Sequence, residues 1–279
     1  MAGGTVVVTG ASTGIGEAAA RRLAALGFQV YAGVRTDTDA ERLRAAGLRP
    51  LTIDVTDGET IASAAELVRG DVGATGLAGL VNNAGIAVSG PVEFVPIDAW
   101  RRQLEVNLIG QVAVIQHFLP LLRAARGRIV NVSSIGGRIA LPLAGPYAAS
   151  KFALEAVSDS LRRELRGQGV DVALVEPGAV KTPIWEKGLA AADDLEARMP
   201  PEADALYGQL VNALRREVDR IVAETGIDPS AVADAVVHAL TARRPRTRYL
   251  VGREAKLRWA LAKRLPDRAF DALVARALR

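Results

Sequence analysis

The 279-residue sequence contains no cysteine and only two histidines, His117 and His238. The lack of cysteine excludes disulfides, thiolate nucleophiles and cysteine-ligated zinc, and two imidazoles are too few for zinc-dependent alcohol dehydrogenase chemistry. No metal cofactor is therefore expected. Because the sequence has no uninterrupted run of about 18 apolar residues, no membrane-spanning helix is predicted. It also has no signal-peptide pattern at its start, so a cytoplasmic protein is expected.

Net positive charge is concentrated at one end of the chain. Residues 241–279 contain 12 Lys and Arg against three Asp and Glu, whereas the whole chain carries a net charge of only +4. Aromatic residues make up 4% of the sequence and form no RNA-binding signature. No nucleic-acid partner is predicted, and the basic tail is assigned to another role.

Short, largely β-branched segments alternate with longer helical patterns. Strands are predicted at 5–10, 28–34, 49–55, 76–85, 127–134, 169–178 and 247–252. Strands that alternate with helices of ten or more residues are typical of a parallel sheet with helices on both faces. The prediction is one α/β domain over 1–279, with a doubly wound Rossmann-type sheet of about seven strands.

Residues 182–226 interrupt this alternation with helical sequence that contains two prolines in succession. Ligands of open α/β sheets bind beyond the carboxyl ends of the strands, and this segment follows such an end. It is predicted to be a substrate lid, with a simple surface excursion as the alternative. Its apolar underside is expected to consist of Trp185, Leu195, Met199, Leu206 and Tyr207.

A glycine-rich turn, TGASTGIG at 9–16, joins the first predicted strand to the first helix. Glycine permits a tight turn and a close backbone approach to a pyrophosphate, while the helix N-terminus offers free N–H groups to it. The spacing is GxxxGxG, which differs from both GxGxxG and the P-loop pattern. This turn predicts a dinucleotide-binding site.

Tyr147 lies four residues before Lys151 in a predicted helix, so the two side chains share one face. A cation beside a phenol stabilises the phenolate and would lower the tyrosine pKa from its usual value of about 10. Taken alone, this pattern also fits an ordinary amphipathic helix with a packed tyrosine and a solvated lysine.

Six features in register resemble the short-chain dehydrogenase/reductase (SDR) family, and in particular its hydroxysteroid and retinol dehydrogenase-like members. They are TGASTGIG at 9–16, NNAG at 82–85, Asn107, the serine of NVSS at 131–134, Tyr147 with Lys151, and PG at 177–178. Their order and spacing agree over most of residues 4–255. The resemblance implies a nicotinamide-dependent oxidoreductase of class EC 1.1.1, acting on a small molecule as a homodimer or homotetramer.

The resemblance also implies roles for individual residues. Asn107, Ser134, Tyr147 and Lys151 would be catalytic, with Ser134 preferred to Ser133 because the family serine lies thirteen positions before the tyrosine. Tyr147 would exchange a proton with the substrate oxygen, Ser134 would bind that oxygen, and Lys151 would hold the nicotinamide ribose. Asn107 would distort its helix and support a water molecule.

The resemblance also implies a cofactor site, whose residues lie mostly at or just after the carboxyl ends of predicted strands. Its residues are Gly10, Ser12, Thr13, Gly14, Ile15, Gly16, Arg35, Asp54, Val55, Asn83, Ala84, Gly85, Tyr147, Lys151, Pro177, Gly178, Val180 and Thr182. Asp54 is expected to contact the adenine, with a solvated strand-end aspartate as the competing interpretation.

The end of the second strand bears on the choice of cofactor. A carboxylate there would bind the ribose hydroxyls of NAD, but this chain has Arg35 and no carboxylate before Asp37. Because an arginine can pair with the 2′-phosphate of NADP, NADP(H) is predicted. NAD(H) is the alternative, since Thr13 is not the basic residue found in many NADP-dependent relatives.

Residues 253–279 predict two short basic amphipathic helices separated by Pro266. They are expected to close over the substrate or to lie at a subunit interface, with a weak membrane-surface contact as the alternative. The predicted reaction is hydride transfer between NADP(H) and a hydrophobic secondary alcohol or ketone, or an aldehyde. The alternatives are a 3-oxoacyl-carrier-protein reductase, disfavoured by the long lid and tail, and a non-enzymatic dinucleotide-binding regulator, disfavoured by the complete catalytic set.

Overall fold

The computed structural model describes residues 3–277, apart from the side chains at positions 222 and 225. Within that range, seven strands form one parallel sheet in the order β3-β2-β1-β4-β5-β6-β7. They are β1 (Thr5–Val8), β2 (Gln29–Val34), β3 (Arg49–Thr52), β4 (Gly79–Asn82), β5 (Arg128–Val132), β6 (Asp171–Pro177) and β7 (Arg248–Val251). The predicted Rossmann-type α/β fold is confirmed, and each predicted strand segment contains one observed strand.

Helices connect the strands and cover both faces of the sheet. They are α1 (Gly14–Ala25), α2 (Asp37–Ala45), α3 (Gly58–Val72), α4 (Ile97–Leu104), α5 (Gly110–Ala125), α6 (Gly145–Glu164), α7 (Ile184–Glu196), α8 (Pro201–Arg220), α9 (Pro229–Thr241), α10 (Arg253–Arg264) and α11 (Asp267–Ala277). Short 3₁₀ turns lie at Gly73–Thr75 and Ile135–Gly137, and π turns at Glu105–Ile109 and Ile221–Thr225.

The sheet separates two apolar cores because side chains alternate between the faces of a strand. In β1, Val6 and Val8 belong to the core that includes Leu23 of α1. Val7 belongs to the other core, which includes Phe118 of α5. Fully buried central strands of this kind are typical of parallel sheets, so the apolar run in β1 is explained by burial on both faces.

The helix predicted at 97–125 is continuous but changes type, since α4 passes through the π turn Glu105–Ile109 into α5. By length and composition alone this 29-residue segment could cross a membrane. However, Val114, Phe118 and Leu122 are fully buried in the core against the sheet. The segment is therefore accounted for as a core helix of the domain.

The predicted lid segment forms α7 and α8, but its apolar underside is smaller than expected. Leu195 is buried, and Met199 packs against the same small cluster. Leu206 is 61% exposed and so does not pack on the body of the protein. The Tyr207 hydroxyl lies 2.9 Å from a carboxylate oxygen of Glu93. The lid segment thus packs Leu195 and Met199 on the body of the protein and leaves Leu206 facing an open groove.

The basic tail forms α10 and α11, which meet near Pro266 as predicted. Ala255 is the buried residue of α10, whereas α11 buries none of its eleven residues. The last two residues of the predicted extension, 278–279, lie outside the described residues. The tail is consequently attached to the surface of the domain and adds little to its core.

Candidate active site

The glycine turn lies at the carboxyl edge of the sheet, between the end of β1 and the start of α1. Gly10 and Gly14 have φ of +62° and +59°, a region that side chains with a Cβ rarely adopt. At Gly16, a Cβ atom would lie 2.2 Å from the Gly10 carbonyl oxygen. Within the described chain, the Thr13 side chain makes no capping bond to α1. The first N–H groups of α1 are therefore available to an anionic ligand such as a pyrophosphate.

The segment after β4 holds this turn in place. The Thr9 hydroxyl oxygen accepts hydrogen bonds from the N–H groups of Asn83 and Ala84, at 3.0 and 3.1 Å. The Asn83 side-chain amide donates to the carbonyl oxygens of Thr9 and Gly10, at 3.1 and 3.0 Å. Asn83, a predicted cofactor residue, is thus committed to bracing the glycine turn, and it brings Ala84 to the same edge.

Asn107 is fully buried in the π turn, in line with the expected distortion of the helix. Its Oδ1 accepts from the Ile86 N–H at 2.9 Å, and its Nδ2 donates to the Ile86 carbonyl at 3.0 Å. Nδ2 also lies 3.3 Å from the Ser150 hydroxyl on α6. Asn107 therefore fastens the segment after Gly85 to the helix that carries Tyr147.

Two glutamines with similar roles were missed by the sequence reasoning. Gln103 Oε1 accepts from the Val88 N–H at 2.7 Å, and Gln111 Nε2 donates to the Ala84 carbonyl at 2.9 Å. Both side chains are fully buried. Their signal was present, because polar residues at 103, 107 and 111 recur every four positions along the helix and so share one face.

Ser134, Tyr147 and Lys151 come together beyond the end of β5. A Cβ atom on Gly136 would lie 3.1 Å from Tyr147 Cε1 and 3.3 Å from Ser134 Oγ, so these two side chains adjoin. The Lys151 ammonium lies 5.9 Å from the centre of the Tyr147 ring and donates to the Val132 carbonyl at 2.8 Å. The three residues that the SDR resemblance singled out thus share one site.

The neighbouring serine lies elsewhere. Ser133 Oγ is buried and has no hydrogen-bond partner within residues 3–277. It lies beside Gly137, where an added Cβ would be 2.8 Å from it. Because consecutive residues at a strand end point to opposite faces, only Ser134 adjoins Tyr147.

Burial governs the pKa values in this site. It raises the pKa of the Tyr147 phenol, against the opposing effect of a hydrogen bond with Ser134. It lowers the pKa of the Lys151 ammonium to about 8, while the negative charge of Glu155 acts in the opposite direction. The expected lowering of the tyrosine pKa by Lys151 is not found here. The ammonium is bonded to the Val132 carbonyl, and desolvation of the half-buried phenol dominates.

The ends of β2 and β3 bring the two predicted adenosine contacts together. Arg35 is 68% exposed, and its Nη1 lies 4.0 Å from Asp54 Oδ2. Asp54 Oδ1 also accepts from the N–H and the hydroxyl of Thr56, at 2.9 and 2.7 Å. Burial works to raise the pKa of Asp54, but these bonds and the Arg35 charge lower it overall. Val55 follows, and its carbonyl packs against Gly110 of α5.

A second guanidinium that sequence reasoning missed lies beside the glycine turn. Arg42 of α2 donates to the Ser12 carbonyl and pairs with Glu17 of α1 at 3.1 Å. No sequence motif marks it, because the approach of α2 to α1 is a property of the fold. Arg35 and Arg42 place two guanidinium groups at this end of the site, where the carboxylates of Asp54 and Glu17 lie beside them.

The segment after β6 returns across the glycine turn. Gly178, after Pro177, donates its N–H to the Val251 carbonyl at 2.9 Å. A Cβ atom on Gly14 would lie 3.0 Å from Thr182 Cγ2, so Thr182 covers the start of α1. The Val180 carbonyl accepts from the Trp185 indole N–H at 2.8 Å, which anchors α7. Every predicted cofactor residue therefore lies on this one edge or supports it.

A Rossmann sheet with an uncapped glycine turn beside a Ser-Tyr-Lys group defines a dinucleotide-dependent oxidoreductase. Residues 4–193 match the family described as short chain dehydrogenase, and the chain belongs to that family. It acts on a small molecule with a nicotinamide nucleotide as cofactor.

Curated relatives resemble the chain over most of its length. Retinol dehydrogenase 5 of Mus musculus is 42% identical, with 96% of this chain and 87% of the relative covered. The NADPH-dependent 3-dehydrocapnine reductase of Ornithobacterium rhinotracheale is 37% identical, with 98% and 96% covered.

Solved structures share the fold. A short chain dehydrogenase from Burkholderia cenocepacia in complex with NADP has a TM-score of 0.73 and 29% identity, covering 99% of this chain and 98% of its own. A short chain dehydrogenase/reductase from Burkholderia phymatum in complex with NAD has a TM-score of 0.77 and 26% identity, with 94% of each chain covered. Both cofactors thus occur among similar structures.

Proposed function

We propose that the protein transfers a hydride between NADP(H) and a hydrophobic secondary alcohol or ketone, with Tyr147 as the acid and base. The observation that carries this proposal is the adjacency of Ser134, Tyr147 and Lys151 at the edge that also holds the uncapped glycine turn. The bound nicotinamide supplies or accepts the hydride at its ring, so the chain itself has to bind, orient and move one proton.

The hydrogen bonds of the site suit these tasks. Ser134 Oγ accepts from the Gly136 N–H at 2.9 Å, so its own proton, which is directed to the Tyr147 oxygen, can be donated to a substrate oxygen instead. The raised pKa of Tyr147 keeps its phenol protonated at neutral pH, as a proton donor to a carbonyl requires. Below pH 8 the Lys151 ammonium is mostly charged and stabilises the phenolate that remains after that transfer.

The two guanidinium groups at the adenosine end support NADP(H) over NAD(H). Arg35 is mostly exposed at the end of β2, where a carboxylate would repel a 2′-phosphate. Arg42 adds a second guanidinium beside Ser12. Guanidinium groups bind phosphate oxygens through charge-assisted, bidentate hydrogen bonds. The relative from Ornithobacterium rhinotracheale, described as NADPH-dependent, is in keeping with this preference.

A groove of about 940 Å³ supports a hydrophobic substrate. It lies between α8, α11 and the loop that leads from Ser134 to Tyr147. Its apolar wall consists of Leu141, Pro142, Leu206, Leu210, Phe270 and Val274. The loop that carries Leu141 begins after Ser134 and ends before Tyr147, so an apolar substrate is proposed to extend from the reacting carbon toward this groove. Retinol and hydroxysteroid dehydrogenases among the relatives also act on apolar molecules by name.

The tail is proposed to close this groove. Phe270 and Val274 of α11 line it, whereas Leu257 and Leu273 are 60% and 43% exposed. A membrane-surface role for the exposed pair predicts co-sedimentation of the full chain with anionic liposomes, lost on truncation after Gly252. Absence of binding by the full chain would leave groove closure as the function of the tail.

The test combines cofactor binding and turnover. Purified protein is titrated side by side with NADPH and NADH by fluorescence, and is then assayed with ketones of increasing alkyl length. Tighter binding of NADPH and a kcat/KM that rises with chain length are expected. Tighter binding of NADH would overturn the cofactor assignment, and failure to bind either nucleotide would overturn the enzymatic assignment.

A further inference from the structure

The Glu155 carboxylate lies one helical turn after Lys151 on α6, just as Tyr147 lies one turn before it. Glu155 is only 8% exposed, and residues four apart share one face of a helix. Its Oε2 accepts from Arg248 Nε at 3.0 Å, while its Oε1 has no hydrogen-bond partner among residues 3–277. A buried carboxylate oxygen without a partner is costly, so a purely structural role would leave it poorly explained.

Glu155 belongs to a cluster of charged side chains that several elements contribute. Arg138 pairs with Glu176 through two bonds of 2.9 and 2.7 Å, and Glu176 is only 1% exposed. Arg248 of β7 also reaches Asp159 at 2.9 Å and Glu176 at 3.3 Å. Both arginines thus keep a carboxylate partner when Glu155 is neutral, so its charge is not needed to balance them.

Gly137 lies next to both Glu155 of this cluster and the backbone of Lys151. A Cβ atom there would lie 3.1 Å from Glu155 Cγ and 3.1 Å from the Lys151 carbonyl oxygen. It would also lie 2.8 Å from Ser133 Oγ. Gly137 therefore packs between Glu155 and the end of the strand whose Val132 carbonyl binds the Lys151 ammonium, and Glu155 and Lys151 lie one turn apart on the same helix.

We propose that Glu155 is a positioning residue that keeps the buried Lys151 charged and thereby sets the upper pH limit of the reaction. The role in the reaction rests on the proposed function, whereas the effect on Lys151 does not. The ionisable groups on the elements packed around the lysine are Tyr147, Glu155, Asp159, Glu176, Arg138 and Arg248. The helical segment that faces α6 from the other side contributes the buried, uncharged Gln103 and Asn107, whereas its charged residues are exposed: Asp98, Arg101, Arg102 and Glu105.

The carboxylate opposes the main cost of burying an ammonium. Burial lowers the pKa of Lys151 to about 8, and the negative charge of Glu155 works against this lowering. Loss of that charge therefore shifts the loss of the Lys151 proton to lower pH. The same change would move the alkaline limb of the pH–rate profile in the same direction, because an uncharged lysine stabilises the phenolate less.

The test measures the lysine directly in the full chain. The ¹³Cε resonance of Lys151, assigned by its loss in Lys151→Met, is followed against pH in the wild type, Glu155→Gln and Glu155→Asp. Glu164→Gln is the matched control, since Glu164 is exposed on the same helix. Glu155→Gln is expected to lower the midpoint by roughly one pH unit. Glu155→Asp, which keeps the charge but shortens the side chain, should fall between the two, and the control should match the wild type.

The catalytic measurement follows on the same variants. In Glu155→Gln the alkaline limb of kcat should move by the same amount, with KM and the rate at pH 6 little changed. Thermal melting identifies the variants that are folded, and Glu155→Asp carries the comparison if Glu155→Gln is not. An unchanged Lys151 midpoint in the folded variants overturns the proposal, even in a protein that shows no activity. An inactive wild type with a shifted midpoint would overturn only the proposed reaction.

Discussion

The sheet with the helices packed on it and the tail that follows β7 are held together in different ways. The first part contains the seven strands, and its helices α3 and α9 each bury five residues. In the second part, the tail, α10 buries one residue and α11 none, and Arg258 pairs with Glu217 and Glu254. Apolar burial is non-directional and large, whereas exposed ion pairs contribute little. The first part thus forms a rigid cofactor platform, and the second can vary its apolar groove at little cost to folding.

The largest effect is expected for Tyr147→Phe, within the first part. The variant keeps the ring that packs against Gly136 but loses the hydroxyl that exchanges the proton. General acid–base catalysis typically contributes about 10²- to 10⁴-fold, so kcat should fall by that order while NADPH affinity and thermal stability are preserved. Tyr207→Phe, on α8, is the matched control and should keep full activity. Turnover at the wild-type rate in Tyr147→Phe would overturn the assignment of Tyr147 as the acid and base.

Arg35→Asp should produce the next largest effect and changes the selectivity of the platform. Loss of a charge-assisted hydrogen bond costs about 1.5–3 kcal/mol, which corresponds to a roughly tenfold to hundredfold weaker NADPH affinity. NADH affinity should rise because the new carboxylate can bind ribose hydroxyls. Fluorescence titration of both nucleotides measures the ratio, with Arg69→Asp on α3 as the control. An unchanged ratio would rule out Arg35 as the phosphate-binding residue.

Deletion of residues 266–279 tests the second part. It removes Phe270 and Val274 from the groove but no residue that the structure shows to be buried in the core. Burying an apolar side chain contributes about 1.5–3 kcal/mol, so KM for a long-chain ketone should rise by about tenfold or more. A short ketone should show no such rise, and NADPH affinity should stay the same. An equal rise for both ketones would mean that the tail supports the site and does not bind substrate.

The same difference explains what could be predicted from the sequence. The strands of the first part were predictable because runs such as that of β1 are buried on both faces, and the motif residues lie where the parallel strands end. Asn107 and Ser134 were assigned by resemblance, and the structure puts both beside the Tyr147 helix. These positions follow from local pattern and strand order.

The remaining features depend on contacts between distant segments. Arg42 reaches Ser12 only because α2 packs beside α1, and no spacing in the sequence marks that approach. Leu206 was predicted as part of an apolar underside, but helical periodicity does not say whether a face meets the core or an open groove. The pKa of Tyr147 depends on desolvation, which a sequence motif does not reveal.

The smallest predicted effect concerns the junction between the two parts. The Arg138 guanidinium lies 4.7 Å from the centre of the Trp259 ring, so a residue of the loop between Ser134 and Tyr147 stacks on α10. Such cation–π contacts contribute about 0.5–2 kcal/mol. Trp259→Ala should lower the free energy of unfolding by that amount in chemical denaturation, and Trp259→Phe should retain much of it. The control is Leu257→Ala, at an exposed position on the same helix, which should have little effect. If Trp259→Phe lost as much as Trp259→Ala, the aromatic face would not be the source of the stabilisation. If the tryptophan variants also kept wild-type KM for a long-chain ketone, α10 would serve to hold the tail in place, and the selectivity of the groove would come from α8 and α11.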